Sequence, residues 1–388
     1  PNAMGGGSQW AMDPDGPFAQ RMGRQGITER QLTKKQWPTY WGPKPFTSAP
    51  VYLGAAICFL FILGLLVVPG GLKYALLYIT VLIAALSMGK YSLTLLEALV
   101  VFALPAIYIA TRRFVTKVPQ PVYGFALGVV AFLILIVLEG GGKDSYLLTD
   151  LFFDYFPLYN KFRAPSSLIA ILGITMPWMA FLGVHALFRT DVPAKKKEVG
   201  LYLAAGSTAL VCLVLALAPE VYGDFQGAQD AQRFQQNPGF LAALKAERAH
   251  MLSADAWRSF AFIVLVAGVL WAYLKGHLKQ VALATGLVAA LVAMDLMVVD
   301  LRILSPEDYV EPRSMSQQEA PRPADVYLDQ FQQDGGYFRV LPLSRNTFND
   351  GSTIQLLHSV GGYHPAKLKR YQQLIAAHLG KVQPNVVN

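Results

Sequence analysis

Charge is scarce in this chain. Only 15% of its 388 residues are Asp, Glu, Lys or Arg, against about 25% in a soluble domain. That deficit excludes an ordinary soluble protein, because too few charges remain to wet its surface. Cysteine is scarcer still. Cys58 and Cys212 both lie inside apolar runs, so they read as packed or lipid-facing thiols and not as a disulfide framework. No Cys/His cluster has the spacing of zinc ligands, so no zinc site is expected; no cofactor is evident, and a divalent metal stays open. The GxSxG, HExxH, Rossmann and GxxxxGK[ST] patterns are missing too. The formal net charge of +8 is carried in loops between apolar runs, so nucleic acid is not an expected partner.

What the chain has in abundance is long apolar runs. Hydrophobic residues make up 54% of it and the mean hydropathy is +0.36. The run 51–68 reads VYLGAAICFLFILGLLVV without a charge. A bilayer core takes about 20 mostly apolar residues per helix, and backbone polar groups in lipid must be satisfied within the segment. Eight spans are predicted, at 51–68, 72–88, 93–111, 121–138, 166–188, 199–218, 258–274 and 280–300. The third carries Glu97 near its start and Pro105 in its middle. The expected fold is therefore an all-α polytopic membrane protein with a small extracytoplasmic α/β segment at its C-terminus.

Basic residues set the orientation. Lys73, then Arg112, Arg113 and Lys117, then Arg189 and Lys195–Lys197, then Lys275 and Lys279 fall in alternate turns. These belong inside, which leaves 1–50, 139–165, 219–257 and 301–388 outside the cytoplasmic membrane. The expected domains are an outer loop over 1–50 and a helical membrane domain over 51–300. A linker rich in Pro, Ser and Gln follows over 301–323, and an unfinished α/β domain over 324–388. That domain should contain helices at 324–332 and 366–379 and a strand at 337–343. Within 219–257 two helices are expected, the second opened by Asn237 as N-cap and Pro238 in its first turn. The chain starts at Pro1 without a basic–apolar leader, and it reads as part of a longer protein; the opening PNAMGGGS also has the look of an expression scar.

Two stretches could carry chemistry. Residues 147–167 read LLTDLFFDYFPLYNKFRAPSS. A helix over 147–159 places Asp150 and Asp154 on one face, with Leu151, Phe152, Phe153 and Phe156 as apolar surface. It is too short to cross, so it should lie along the outer interface and end at Pro157. Tyr159, Asn160, Lys161 and Arg163 follow. One reading is an aromatic belt with snorkelling cations. The other is a site at membrane level, with Asp150 or Asp154 as base or metal ligand and Lys161 and Arg163 on a lipid-linked phosphate.

The second stretch runs from Asn346 to Tyr371. It holds Asn349, Asp350, a Gly361-Gly362 turn, His364, Lys367, Lys369 and Arg370. A basic helix face and a site for phosphate, carboxylate or sugar are both open there. Near or inside the spans, Glu97, Glu139, His185, Asp295 and Asp300 are ionisable. Asp295 lies deepest, and a helix–helix hydrogen bond is its expected role.

The strings PTYWGPKPFTSAPVYLGA (38–55), LFFDYFPLYNKFRAPSS (151–167), MDLMVVDLRIL (294–304) and FNDGSTIQLLHSVGGYHPAKLKRYQQLI (348–375) resemble those of bacterial YfhO-like integral membrane proteins, in particular Bacteroidetes members. That resemblance implies a fold similar to the GT-C glycosyltransferases. Such enzymes move a sugar from a polyprenyl-phosphate carrier on the outer face of the membrane. Membrane lipids and a polyprenyl-phosphate-linked sugar are then the implied partners. The implied catalytic carboxylate lies in a first outer loop that this chain does not contain, so no catalytic Asp carries over. A flippase for lipid-linked material and a non-catalytic envelope subunit remain the competing classes.

Overall fold

Among the described residues, four helical segments are long and apolar enough to cross a bilayer: Ser166–Phe188, Ala194–Leu217, Pro238–Leu274 and Val281–Ile303. The computed structural model describes residues 11–381 except 24–25, 35, 43–51, 89–92, 140–146, 162–164, 228, 305, 310, 314–319, 344–345, 350 and 364–366. The helices, in chain order, are α1 (Pro17–Met22), α2 (Glu29–Leu32), α3 (Ala55–Val67), α4 (Leu72–Ser87), α5 (Leu95–Arg112), α6 (Gln120–Glu139), α7 (Leu148–Tyr155), α8 (Leu172–Phe188), α9 (Ala194–Leu217), α10 (Asp230–Arg233), α11 (Pro238–Leu274), α12 (Val281–Ile303), α13 (Pro323–Gln333) and α14 (Lys369–Ala377). The chain is thus a helical membrane protein, with large apolar side chains such as Phe181, Leu210, Leu265, Leu287 and Met294 exposed along its long helices. In water such a surface would drive association; in lipid it is the solvated face.

The expectation of eight spans is corrected. The first four predicted spans are all helical, but α3 and α4 are shorter than the four long segments, whereas α6 runs 20 residues. α3 has 13 residues, about 20 Å at 1.5 Å per residue, against a hydrocarbon core of about 30 Å. The apolar run begins at 51, yet 52–54 are not helical and the helix opens only after Gly54. α4 has 16 residues. α5 has 18 residues, with Glu97 in its first turn and Arg112 in its last.

The chain forms two compact units. The first comprises 1–84, 95–145 and 168–303, and the second 85–94, 146–167 and 304–388.

In the first unit, α3 is apolar on every side, as a helix surrounded by other helices must be. Its Phe59, Leu60, Leu63 and Val67 pack against Met179, Ala180 and Leu187 of α8, Leu201 and Ala204 of α9, Ile263, Val266 and Leu270 of α11, and Val288 of α12. Helices in lipid gain little from hydrophobic burial, so close backbone approach matters more. Gly64 of α3 and Gly183 of α8 provide it. A Cβ at Gly183 would stand 2.8 Å from the Gly64 Cα, and one at Gly64 would stand 2.5 Å from the Met179 carbonyl oxygen. Gly183→Val should therefore push the two helices apart and cost about 1–3 kcal/mol. Gly206→Ala is the control, because a Cβ there meets nothing within 4 Å; it should be neutral or slightly stabilising. Thermal unfolding in detergent measures both, and equal melting of Gly183→Val and wild type would refute the packing argument.

α11 has 37 residues, about 55 Å, nearly twice a bilayer core. The second outer helix expected within 219–257 thus runs straight into the seventh predicted span. Asn237 caps it as expected, its Oδ1 accepting the Phe240 N–H at 3.0 Å. The N-terminal half of α11 supports the start of the chain. Met12, Phe18, Met22 and Leu32 pack on Ala243 and Leu244, and Trp41 packs with Phe225 and Leu252. Segments 11–42 and 219–257 therefore lie beyond the same end of the bundle. At the other end, Lys275 pairs with Glu198 at 2.8 Å, which gathers two of the basic turns.

The second unit is not α/β, which is a second correction. It contains α7, α13, α14 and irregular chain, and no strand among the described residues. The expected strand at 337–343 makes one isolated parallel bridge, Val340 with Ser359. Val340 N–H donates to His358 O at 2.8 Å and its carbonyl accepts from Val360 at 2.9 Å. Pro342 has no N–H to continue a ladder. α13 and α14 match the expected helices at 324–332 and 366–379 within one residue and about three residues respectively.

Candidate functional site

The two sequence clusters with chemical potential fold into the second unit together. α7 has eight residues, about 12 Å, which is too short to cross a bilayer. It is shorter than the expected 147–159 and stops ahead of Pro157: Phe156 leaves the helix and Leu158 takes φ 69°. A left-handed backbone is uncommon for leucine, and it turns the chain into a 3₁₀ turn at Tyr159–Lys161. Phe153, Tyr155, Phe156 and Leu158 are exposed, Tyr155 by 77%. This is a largely apolar surface on a helix that also carries two carboxylates.

α14 completes the arrangement. It packs against the Tyr159–Lys161 turn, and its Lys369 Nζ lies 4.6 Å from the centroid of the Phe153 ring, a cation–π contact. Arg370 and Lys161 are both exposed. The unit therefore presents an aromatic surface with cations beside it. Such a surface can bury in the interfacial layer of a bilayer and hold an anionic group at the same depth.

The remaining predicted site residues fall as follows. Asp150 Oδ2 accepts the Leu147 N–H at 3.0 Å and so caps α7. Asp154 is exposed one turn later, on the same face. Tyr159 is half-buried; its hydroxyl donates to Leu86 O at 3.2 Å, and burial raises its phenol above the usual range. Asn160 is half-buried. Lys367 is buried, donates to Phe348 O at 3.2 Å and sits over the Phe348 ring at 5.9 Å. Asn349 is exposed and its N–H donates to Asn346 O at 2.9 Å. Arg163, Asp350 and His364 lie outside the described residues, as does the side chain of Glu139.

The Gly361-Gly362 turn has a packing role. Gly361 lies directly against the Thr347 carbonyl, where a Cβ would clash, and Gly362 N–H donates to that carbonyl at 2.8 Å. Tyr371 Oη bonds to the Val360 carbonyl. These contacts fix the loop ahead of α14, and so fix where Lys369 and Arg370 stand.

Of the ionisable residues in or near the spans, Glu97 is buried, His185 and Asp300 are exposed and Asp295 is fully buried. Asp295 accepts from Tyr52 Oη at 2.5 Å and from Ala56 N–H at 3.0 Å. Tyr52 Oη in turn accepts from Ala55 N–H at 3.0 Å and from Arg258 Nη2 at 3.1 Å. Arg258 Nε lies 3.5 Å from Asp255, and Arg302 grips both Asp255 oxygens at 2.6 and 2.8 Å. Sequence reasoning found Asp295 and missed Asp255, Arg258 and Arg302. Their spacing was a usable signal: Asp255 and Arg258 are one turn apart, and Asp295 and Arg302 are two turns apart on one face. The network closes the first unit and carries no net charge. Among the described residues, no group of three or more His, Cys, Asp or Glu gathers as metal ligands.

No protein family, no curated protein and no solved structure matches the chain.

Proposed function

We propose that the chain is part of a cell-envelope glycosyltransferase of the GT-C-like, YfhO-like kind, and that its second unit binds the phosphate of a polyprenyl-phosphate-linked sugar at the outer membrane surface. The observation that supports this reading is the meeting of α7, the Tyr159–Lys161 turn and α14. Two stretches some two hundred residues apart in sequence supply, respectively, an aromatic surface and cations. Lys161, Lys369 and Arg370 would stabilise the leaving phosphate, which gains charge as the glycosidic bond breaks. Arg163 would add a bidentate fork that a lysine cannot replace. Large segments outside the cytoplasmic membrane and basic turns inside it give this surface the correct side.

The test is binding of polyprenyl phosphate to the chain in lipid nanodiscs. Lys161→Ala with Lys369→Ala and Arg370→Ala should weaken binding by at least about tenfold, each lost charge-assisted contact contributing on the order of 1.5 kcal/mol. Arg163→Lys should weaken it too while insertion stays normal. Binding of the uncharged polyprenol should be weak in all variants. Equal binding of polyprenyl phosphate by wild type and the triple variant would overturn the proposal and leave α7 as a membrane anchor.

A further inference from the structure

The first unit contains a second surface that the proposed reaction does not use. It is an apolar groove of about 660 Å³ between α3, α4, α5, α6 and α9, within the range of about 300–1,000 Å³ typical of ligand pockets. Leu66, Leu77, Leu104, Phe125, Leu127 and Val211 are among the side chains that form its walls. A cavity with such walls stays dry, so in a bilayer it is filled by hydrocarbon or left as a void. Voids are costly, because the lining atoms lose their dispersion contacts.

One end of the groove differs from the rest. Lys73, Tyr74, Tyr108 and Gln120 line it. Arg112 follows Tyr108 by one helical turn on α5, whose Tyr108 ring lies 6.3 Å from that of Tyr74 at the same end. Arg112 Nη1 is buried and has no hydrogen-bond partner. Lys196, at the start of α9, acts on Lys73. Among the described residues none of Lys73, Arg112 and Lys196 is in an ion pair. Among the described residues Lys73 Nζ donates only to the Leu65 carbonyl, at 3.1 Å, and an ammonium has three donors. Lys73 and Lys196 act on each other with no carboxylate paired to either among the described residues, and like charges so placed repel unless an anion joins them. These residues lie in or beside the basic turns, where anionic headgroups of the inner leaflet are found.

We propose that the groove holds one acyl chain of an anionic diacyl phospholipid, with the phosphate against Lys73 and Arg112. The second chain stays in the bilayer. The site is a lipid-binding site on the basic end of the bundle, and it stands or falls independently of the polyprenyl-phosphate reading.

Gly128 makes the test clean. It lines the groove, and a Cβ there meets no atom within 4 Å, so a large side chain can fill the groove without disturbing a helix contact. The full chain is purified in detergent and mixed with phosphatidylglycerol or phosphatidylcholine of identical chains, and lipid retention is read by native mass spectrometry. Wild type should retain one phosphatidylglycerol, with about tenfold preference over phosphatidylcholine. Gly128→Trp, or Val211→Trp from the α9 wall, should abolish retention. Lys73→Gln with Arg112→Gln should keep retention and lose the headgroup preference. Excess inorganic phosphate should not displace the lipid. Photocrosslinking from Leu127 to a diazirine-tailed phosphatidylglycerol reads the same site in a chain with an unfilled groove. Retention unchanged by both tryptophans, equal retention of the two lipids by wild type, displacement by inorganic phosphate, or no crosslink from Leu127 would each overturn the proposal.

Discussion

Asp295→Ala should destabilise the first unit by about 3–5 kcal/mol, the cost of removing one partner from a buried ion pair. The reason lies in the shortness of α3. At about 20 Å it cannot reach both membrane surfaces, so its first amides open within the bundle where water does not reach. Unpaired backbone amides at that depth cost several kcal/mol each. Asp295 Oδ2 takes the Ala56 N–H and Tyr52 Oη takes the Ala55 N–H. Asp295 is thus an N-cap supplied by a neighbouring helix, favoured also by the helix dipole. Removing it frees the Ala56 amide, leaves the Tyr52 hydroxyl proton without its acceptor and leaves Arg258 with less opposing charge. Asp295→Asn should cost clearly less, because its amide oxygen can still accept one of these bonds. Tyr52→Phe should cost about 1–2 kcal/mol, and the double variant should be non-additive by about 0.5–3 kcal/mol. Thermal unfolding in detergent reads all four. An Asp295→Ala effect under about 1 kcal/mol would remove the capping role.

Arg248→Ala is expected to release the start of the chain while the membrane helices stay folded. Arg248 is fully buried. Nη1 donates to Phe225 O at 2.8 Å and pairs with Asp230, and Nη2 donates to Pro38 O at 2.7 Å and Tyr40 O at 2.9 Å. One guanidinium therefore ties the 225–230 turn and the 38–40 segment to α11. Its loss leaves a buried carboxylate and three carbonyls without that donor, again about 3–5 kcal/mol. Arg248→Lys should recover only part, since a single ammonium cannot reach both sides of the fork. Limited proteolysis and hydrogen exchange within 11–42 should rise sharply in Arg248→Ala, with helicity of the bundle preserved. Protection of 11–42 equal to wild type would show that the hydrophobic contacts of Phe18 and Met22 hold the segment unaided. Glu247, the next residue, holds the same segment from its other side: it accepts from Phe18 N–H at 3.0 Å and from Asp13 N–H at 3.3 Å.

Sequence by itself determined that the chain is helical and made for a bilayer. Hydropathy is a local property, and in lipid a continuous apolar run has no alternative to internally satisfied helix. It also determined local punctuation: Asn237 as a cap, Pro157 beyond the end of α7, and α13 and α14 in outline. It found Asp295 as a buried acid, because a charge in an apolar run must find a partner. Tertiary structure alone decided the rest. Whether an apolar run spans the membrane or stops inside the bundle depends on who caps it, and Asp295 lies some 240 residues from the α3 start it serves. The strand expected at 337–343 failed because a strand exists only as a pairing, and only Val340 found one. The partners of Arg248 and the meeting of Lys369 with Phe153 are contacts between distant stretches, set by packing and not by any local pattern. The groove beside Gly128 is a space between five helices, and no single stretch of sequence encodes a space.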